Sequence, residues 1–73
     1  MSISVKSELS GRVFDIVAKV GQRLDEDDPI IVLEAMKMEI AVCAPRAGTL
    51  TEIRVDRDET IEEGQVVATM TPG

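Results

Sequence analysis

Histidine, tryptophan and tyrosine are absent from this 73-residue chain, and it holds one phenylalanine and one cysteine. Without histidine, Cys43 has no partner for a zinc set or a Cys-His nucleophile, and a lone cysteine closes no internal disulfide. No catalytic and no metal-ligating residue is therefore expected, and Cys43 reads as a small apolar side chain on a strand. With Phe14 the only aromatic, a core has to be built from Val, Ile, Leu, Ala and four Met. Basic residues are also scarce: eight against fourteen acidic ones leave a net charge of −6, which opposes any phosphate-backbone partner, so no nucleic acid is expected. Long apolar runs are missing too. The opening Met1-Ser2-Ile3-Ser4-Val5-Lys6 is not an export signal, and nothing later is long enough to span a membrane, so a cytoplasmic chain with no membrane partner is expected.

What is present is compatible with one small folded unit. At 44% hydrophobic and 30% charged residues the chain is too apolar for a disordered tail, and residues 1–73 are expected to form a single domain, monomeric when isolated. A domain of this size buries only about 60% of the surface of its unfolded chain, so its stability should be modest. Residues 2–6 alternate polar and apolar, the period of a half-buried strand. Val13, Phe14, Ile16, Val17 and Val20 make a strand-like run before Gly21, and Asp25 to Pro29 reads as a solvated loop. Ile30 to Leu33, Ile40 to Cys43, the pattern Leu50, Ile53, Val55, and Val66 to Met70 supply further strands, with a turn at Ala44 to Gly48.

The two halves of the chain repeat. Gly11 falls on Gly48, Val13 on Leu50, Ile16 on Ile53, Leu24 on Ile61, Ile30 on Val67 and Leu33 on Met70, each 37 positions on. A unit of that length seldom holds a core alone, since unaided domains below about 40 residues usually need staples. The halves should therefore share one core, as two small sheets packed face to face about a pseudo-two-fold axis. Asp27 falls on Gly64 and Asp58 on Gly21, so both aspartates are expected in turns that a glycine would enter with less strain.

Glu34-Ala35-Met36-Lys37-Met38-Glu39 lies at the junction of the repeats. All six are helix formers, and Leu33, Met36 and Ile40 would line one helical face. The β-branched runs on either side leave only about six residues between them, too few for an ordinary helix. A two-residue hairpin loop at Met36-Lys37 is the alternative, and it would place two non-glycine residues at positive φ. An ordinary lysine amine, with a pKa of about 10.4, is almost wholly protonated at neutral pH, and no residue in the chain is placed by type to deprotonate it. Lys37 therefore reads as a substrate of some other enzyme.

Ala35-Met36-Lys37-Met38 resembles the attachment motif of biotinyl domains in the biotin/lipoyl carrier family, and the resemblance runs from about Leu9 to Met70. It implies an all-β fold, a flattened β-barrel or sandwich of two four-stranded sheets related by a pseudo-two-fold axis, with the lysine on a protruding hairpin. It implies biotin as a covalent cofactor on Lys37, with Glu34, Ala35, Met36, Met38 and Glu39 as the flank read by partners. Those partners would be a biotin protein ligase, a biotin carboxylase that uses bicarbonate and ATP, and a carboxyltransferase acting on an acyl-CoA or other acceptor. The chain would then be a non-catalytic biotin carboxyl carrier. Two rivals are a lipoyl-type acyl carrier, against which the family's Asp-Lys-Ala pattern is missing here, and an unmodified β-sandwich binding module.

Overall fold

The repeat seen in the sequence is carried into the backbone almost residue for residue. The computed structural model describes residues 2–73, and among them there are eight strands and no helix. They are β1 (Ile3–Lys6), β2 (Gly11–Ile16), β3 (Arg23–Leu24), β4 (Pro29–Ala35), β5 (Met38–Cys43), β6 (Gly48–Ile53), β7 (Thr60–Ile61) and β8 (Val66–Pro72). The bounds of β2, β3 and β4 recur 37 residues later as those of β6, β7 and β8. One four-stranded antiparallel sheet has the order β1-β8-β6-β3, and the other β5-β4-β2-β7. Each sheet thus takes two strands from each half of the chain, so neither half can complete a sheet alone.

The expected strand-like run from Val13 to Val20 stops as a strand at Ile16, because Val17 and Ala18 both turn their amides to Ile30 O, at 2.9 and 3.2 Å, and leave the ladder. The expected loop from Asp25 ends one residue early, since Pro29 opens β4 opposite Cys43, a first-strand position where its missing amide costs no ladder bond. Cys43 itself is half-buried and not fully enclosed.

The core is aliphatic, as the lack of aromatics requires. Fifteen buried apolar residues form one cluster, and fourteen of them fall into pairs 37 residues apart, from Val5 with Val42 to Leu33 with Met70. Ala44 alone lacks an apolar counterpart; its equivalent is Ser7, the one buried polar residue among those described. Ile30-Ile31 and Val67-Ala68 are consecutive yet all buried, which simple alternation forbids. Bulges resolve this: the register skips Ile30 between Pro29 and Ile31, and skips Val67 where Val5 pairs with Ala68 and Lys6 with Val66.

The turns close the sandwich across the halves. Gly21 N donates to Leu50 O at 2.7 Å and Asp58 N to Val13 O at 2.8 Å, and Asp27 N and Gly64 N make the equivalent bonds to Ala44 O and Ser7 O, both at 2.8 Å. To aim those amides the four residues take φ of +92, +71, +74 and +86° in that order, as expected for both aspartates. The two aspartates differ in their side chains, because the carboxylate of Asp58 accepts a hydrogen bond from Arg12 and that of Asp27 makes none among the described residues. Asp27→Gly should therefore raise stability by up to about 1 kcal/mol, a few degrees in Tm, by relief of left-handed strain. Asp58→Gly should be close to neutral, since it also loses its exposed ion pair with Arg12, which offsets part of the relief. Thermal and urea midpoints of both variants check this; equal gains at the two sites would contradict it.

Candidate functional site

Strand pairing decides the fate of Glu34 to Glu39. Leu33 faces Ile40, Glu34 faces Glu39 and Ala35 faces Met38, which leaves Met36 and Lys37 as a two-residue loop. Helix propensities among these residues differ by only tenths of a kcal/mol each, whereas full burial of a side chain such as Ile30, Ile31 or Leu33 contributes about 1.5–3 kcal/mol. All three are fully enclosed in β4, so packing outweighs propensity and the hairpin forms. Met36 and Lys37 have φ of +53 and +63°, the double left-handed pattern of a type I′ turn. Neither is Gly or Asn, so the tip holds strain of about 1–3 kcal/mol per residue that the flanking ladder must sustain.

The hairpin sorts Lys37 and its five flanking residues by side. Met36 is 94% exposed and Met38 63%, and Lys37 is exposed at the tip. Ala35 is half-buried at the hairpin's base, close to Gly11: a Cβ at Gly11 would lie 2.9 Å from Glu34 O and 3.4 Å from the Ala35 Cβ. Glu34 and Glu39 stand opposite each other, an arrangement that repels when uncompensated. Arg12, the partner of Glu34 on β2, compensates it. Its guanidinium donates to Glu34 Oε1 at 2.8 Å and to Asp58 Oδ1, and the hydrogen bond to Glu34 is the first cause that raises its pKa above the ordinary arginine value. Among the described residues no carboxylate forms an ion pair with Lys37. The amine is thus left unpaired while the Glu34 carboxylate is held by Arg12.

Arg12 and Asp58 were not legible as site residues in the sequence. A signal existed in the repeat, because Arg12, Glu34 and Asp58 correspond to Thr49, Thr71 and Gly21, so the bracing cluster occurs only in the half with the lysine hairpin. The hairpin base is then fixed by the ladder and, on the β4 side, by Arg12, while β5 forms the edge of the sheet. No pocket is needed to hold a group on such a tip. An exposed amine at the end of such a hairpin is open to acylation by another enzyme, and among the described residues no cluster suited to a metal accompanies it.

Fold and site together define a carrier: a small sandwich that displays one lysine and leaves the chemistry to others. A family described as "Biotin-requiring enzyme" matches residues 2–70. The chain is 31% identical over 71 residues to the biotinylated protein TB7.3 homolog of Mycobacterium leprae, covering 97% of this chain and 100% of that protein. It is 31% identical to the biotin carboxyl carrier protein of Streptococcus mutans, over 92% of this chain and 52% of that one. Among solved structures, the urea carboxylase of Kluyveromyces lactis superimposes with a TM-score of 0.93 at 32% identity, over 97% of this chain and 6% of the carboxylase. The chain therefore spans all of one curated relative, about half of another, and a small part of a multidomain carboxylase. It belongs to the biotin/lipoyl attachment family, as a biotin-carrying and non-catalytic member.

Proposed function

We propose that Lys37 is the attachment residue, and that the group it holds shuttles a carboxyl unit between a biotin carboxylase and a carboxyltransferase. The observation that supports this most is the unpaired, exposed Lys37 at the tip of a two-residue turn whose base is held by the β4–β5 ladder and, on the β4 side, by Arg12. In the reaction, Lys37 Nζ loses a proton to a base of the ligase and attacks the carbonyl carbon of an activated biotin carboxyl. A C–N amide bond forms, the C–O bond to the activating group breaks, and that group leaves with the electron pair. Bound biotin then supplies the carboxyl-carrying chemistry. The chain's own residues supply placement: the ladder from Leu33–Ile40 to Ala35–Met38 fixes where the arm begins. Tethering converts each encounter with an active site into a local event at high effective concentration. Met36 and Met38 add an unbranched, adaptable surface that suits recognition by several enzymes in turn.

The test is the intact mass of the chain co-expressed with a biotin protein ligase, with the adduct mapped by peptide mass spectrometry. One biotinyl group on Lys37, and none on Lys6 or Lys19, is expected. Amide formation removes one positive charge, taking the formal charge from −6 to −7, so the loaded form should elute later on anion exchange. An unmodified chain, or an adduct on Lys6 or Lys19, would overturn the assignment.

A further inference from the structure

The internal repeat offers a control for every surface position, and one face departs from it. Phe14 and Val17 are 43% and 45% exposed, Val32 is half-buried and Ala41 is exposed. At the equivalent positions the other half carries Thr51, Arg54, Thr69 and Ser4, on the same backbone, including the same bulge at residues 14 and 51. Polar side chains thus satisfy this fold at all four places, and the apolar ones are not needed to build it. Phe14, Val32 and Ala41 lie on β2, β4 and β5 of the sheet that carries the Lys37 hairpin, and Val17 follows directly after β2. The register places Ala41, Val32 and Asp15 in one row with Phe14 as the bulged residue beside them, and Glu39, Glu34 and Arg12 in the next row toward the tip.

We infer that this outer face, centred on Phe14 and Val32, is the docking surface for the biotin protein ligase, a conclusion that rests on Lys37 being the attachment residue. An unmodified lysine offers only its own side chain, so the enzyme that acts on its amine must bring its groups to hydrogen-bond distance of Nζ. Its surface then has to lie over the strands next to the tip. Val32 is three residues from the end of β4, about 10 Å along the strand. A standard interface covers about 800 Å² on each partner, wide enough to take in both the tip and the Phe14 row. Enzymes that use the longer tethered arm work from farther away and have less need of this face. The rim carries Asp15, Glu34, Glu39 and Asp58 against Arg12 and Arg57, two more acids than bases, and the chain carries −6 overall, so the complementary surface has an apolar centre and a mainly basic border.

The experiment measures ligase kinetics against the whole chain as substrate, with biotin and ATP saturating. Phe14→Thr combined with Val32→Thr, and separately Val17→Arg, install the residues of the other half and should keep the fold, as a circular dichroism melt checks. KM for the protein should rise about tenfold or more in the double variant with kcat nearly unchanged, because truncating buried interface anchors weakens docking and leaves the lysine in place. Thr51→Val combined with Thr69→Val, on the opposite sheet, should leave KM as it was. If wild type is labelled normally and both face variants keep its KM, the docking surface is refuted while the lysine assignment stands. If KM is unchanged but carboxylation of the loaded variant by a biotin carboxylase slows, the ligase is the wrong occupant. If wild type is not labelled at all, the assignment of Lys37 fails and the docking proposal with it. Should the double variant not fold, Val17→Arg alone carries the same reading.

Discussion

Exchanging Met36 and Lys37, as Met36→Lys with Lys37→Met, should cut biotin incorporation by at least about a hundredfold while leaving the melting midpoint nearly unchanged. The composition of the turn is preserved, and so is the Ala35–Met38 pair that closes it. Both positions are exposed and both have left-handed φ, so two unbranched residues trade similar strain for similar strain. What changes is direction, because the two corners of a two-residue turn point their side chains differently and the amine leaves the line on which the flanking residues present it. Lys37→Arg sets the zero of the assay, since a guanidinium is not acylated under these conditions. Time courses of labelling, beside a thermal melt of each variant, make the measurement. A folded exchange variant that labels at the wild-type rate would show that the ligase needs only a lysine nearby, and the placement attributed to the hairpin would be wrong.

Gly48→Ala should be the most damaging single-methyl substitution in the chain, with a loss of about 3 kcal/mol or more. Gly48 starts β6 between β3 and β8, and a Cβ there would lie 2.2 Å from Thr71 O and 3.1 Å from Thr71 C. Backbone and not a flexible side-chain end is in the way, so two paired strands have to separate. A domain of this size has a total stability of only about 4–11 kcal/mol, so the variant approaches the unfolding threshold. Gly11→Ala meets Glu34 O at 2.9 Å and should lose less, about 1–2 kcal/mol, but its shift falls on β4 at the hairpin base. Labelling of Lys37 should therefore slow in Gly11→Ala even where the chain is fully folded. Gly21 has no neighbour within 4 Å of a Cβ, so Gly21→Ala tests backbone strain alone, at about 1 kcal/mol. Urea midpoints should rank the losses Gly48, then Gly11 and Gly21; a Gly48→Ala variant within about 0.5 kcal/mol of wild type would refute the close approach of β6 and β8.

Much of this protein was determined by sequence alone, for a physical reason that can be stated residue by residue. Two copies of one apolar pattern, 37 residues apart, mark the same core positions twice, so Val13 with Leu50 and Leu33 with Met70 are legible in the sequence as one shared core. Asp27 and Asp58 could be placed in left-handed turns because a glycine stands at the equivalent position of the other copy. The motif around Lys37 is local and short, and a local motif survives in the sequence whatever the chain does around it.

Only the tertiary structure decided the remainder, because it depends on partners distant in the chain. β3 and β7 are two residues long, too short to show any period, and they exist because Leu24 and Ile61 are drawn into the sheet of the other half. Helix propensity from Leu33 to Glu39 is real but local, and it yields to the burial of Leu33 against strands that arrive from elsewhere. Arg12 reaches Glu34 across 22 residues and Asp58 across 46, so no window of sequence contains the cluster that steadies the hairpin. Phe14, the chain's only aromatic, is turned outward by alternation from buried Val13, a facing that only the pairing of β2 with β4 fixes, and hydropathy alone would have assigned it to the core.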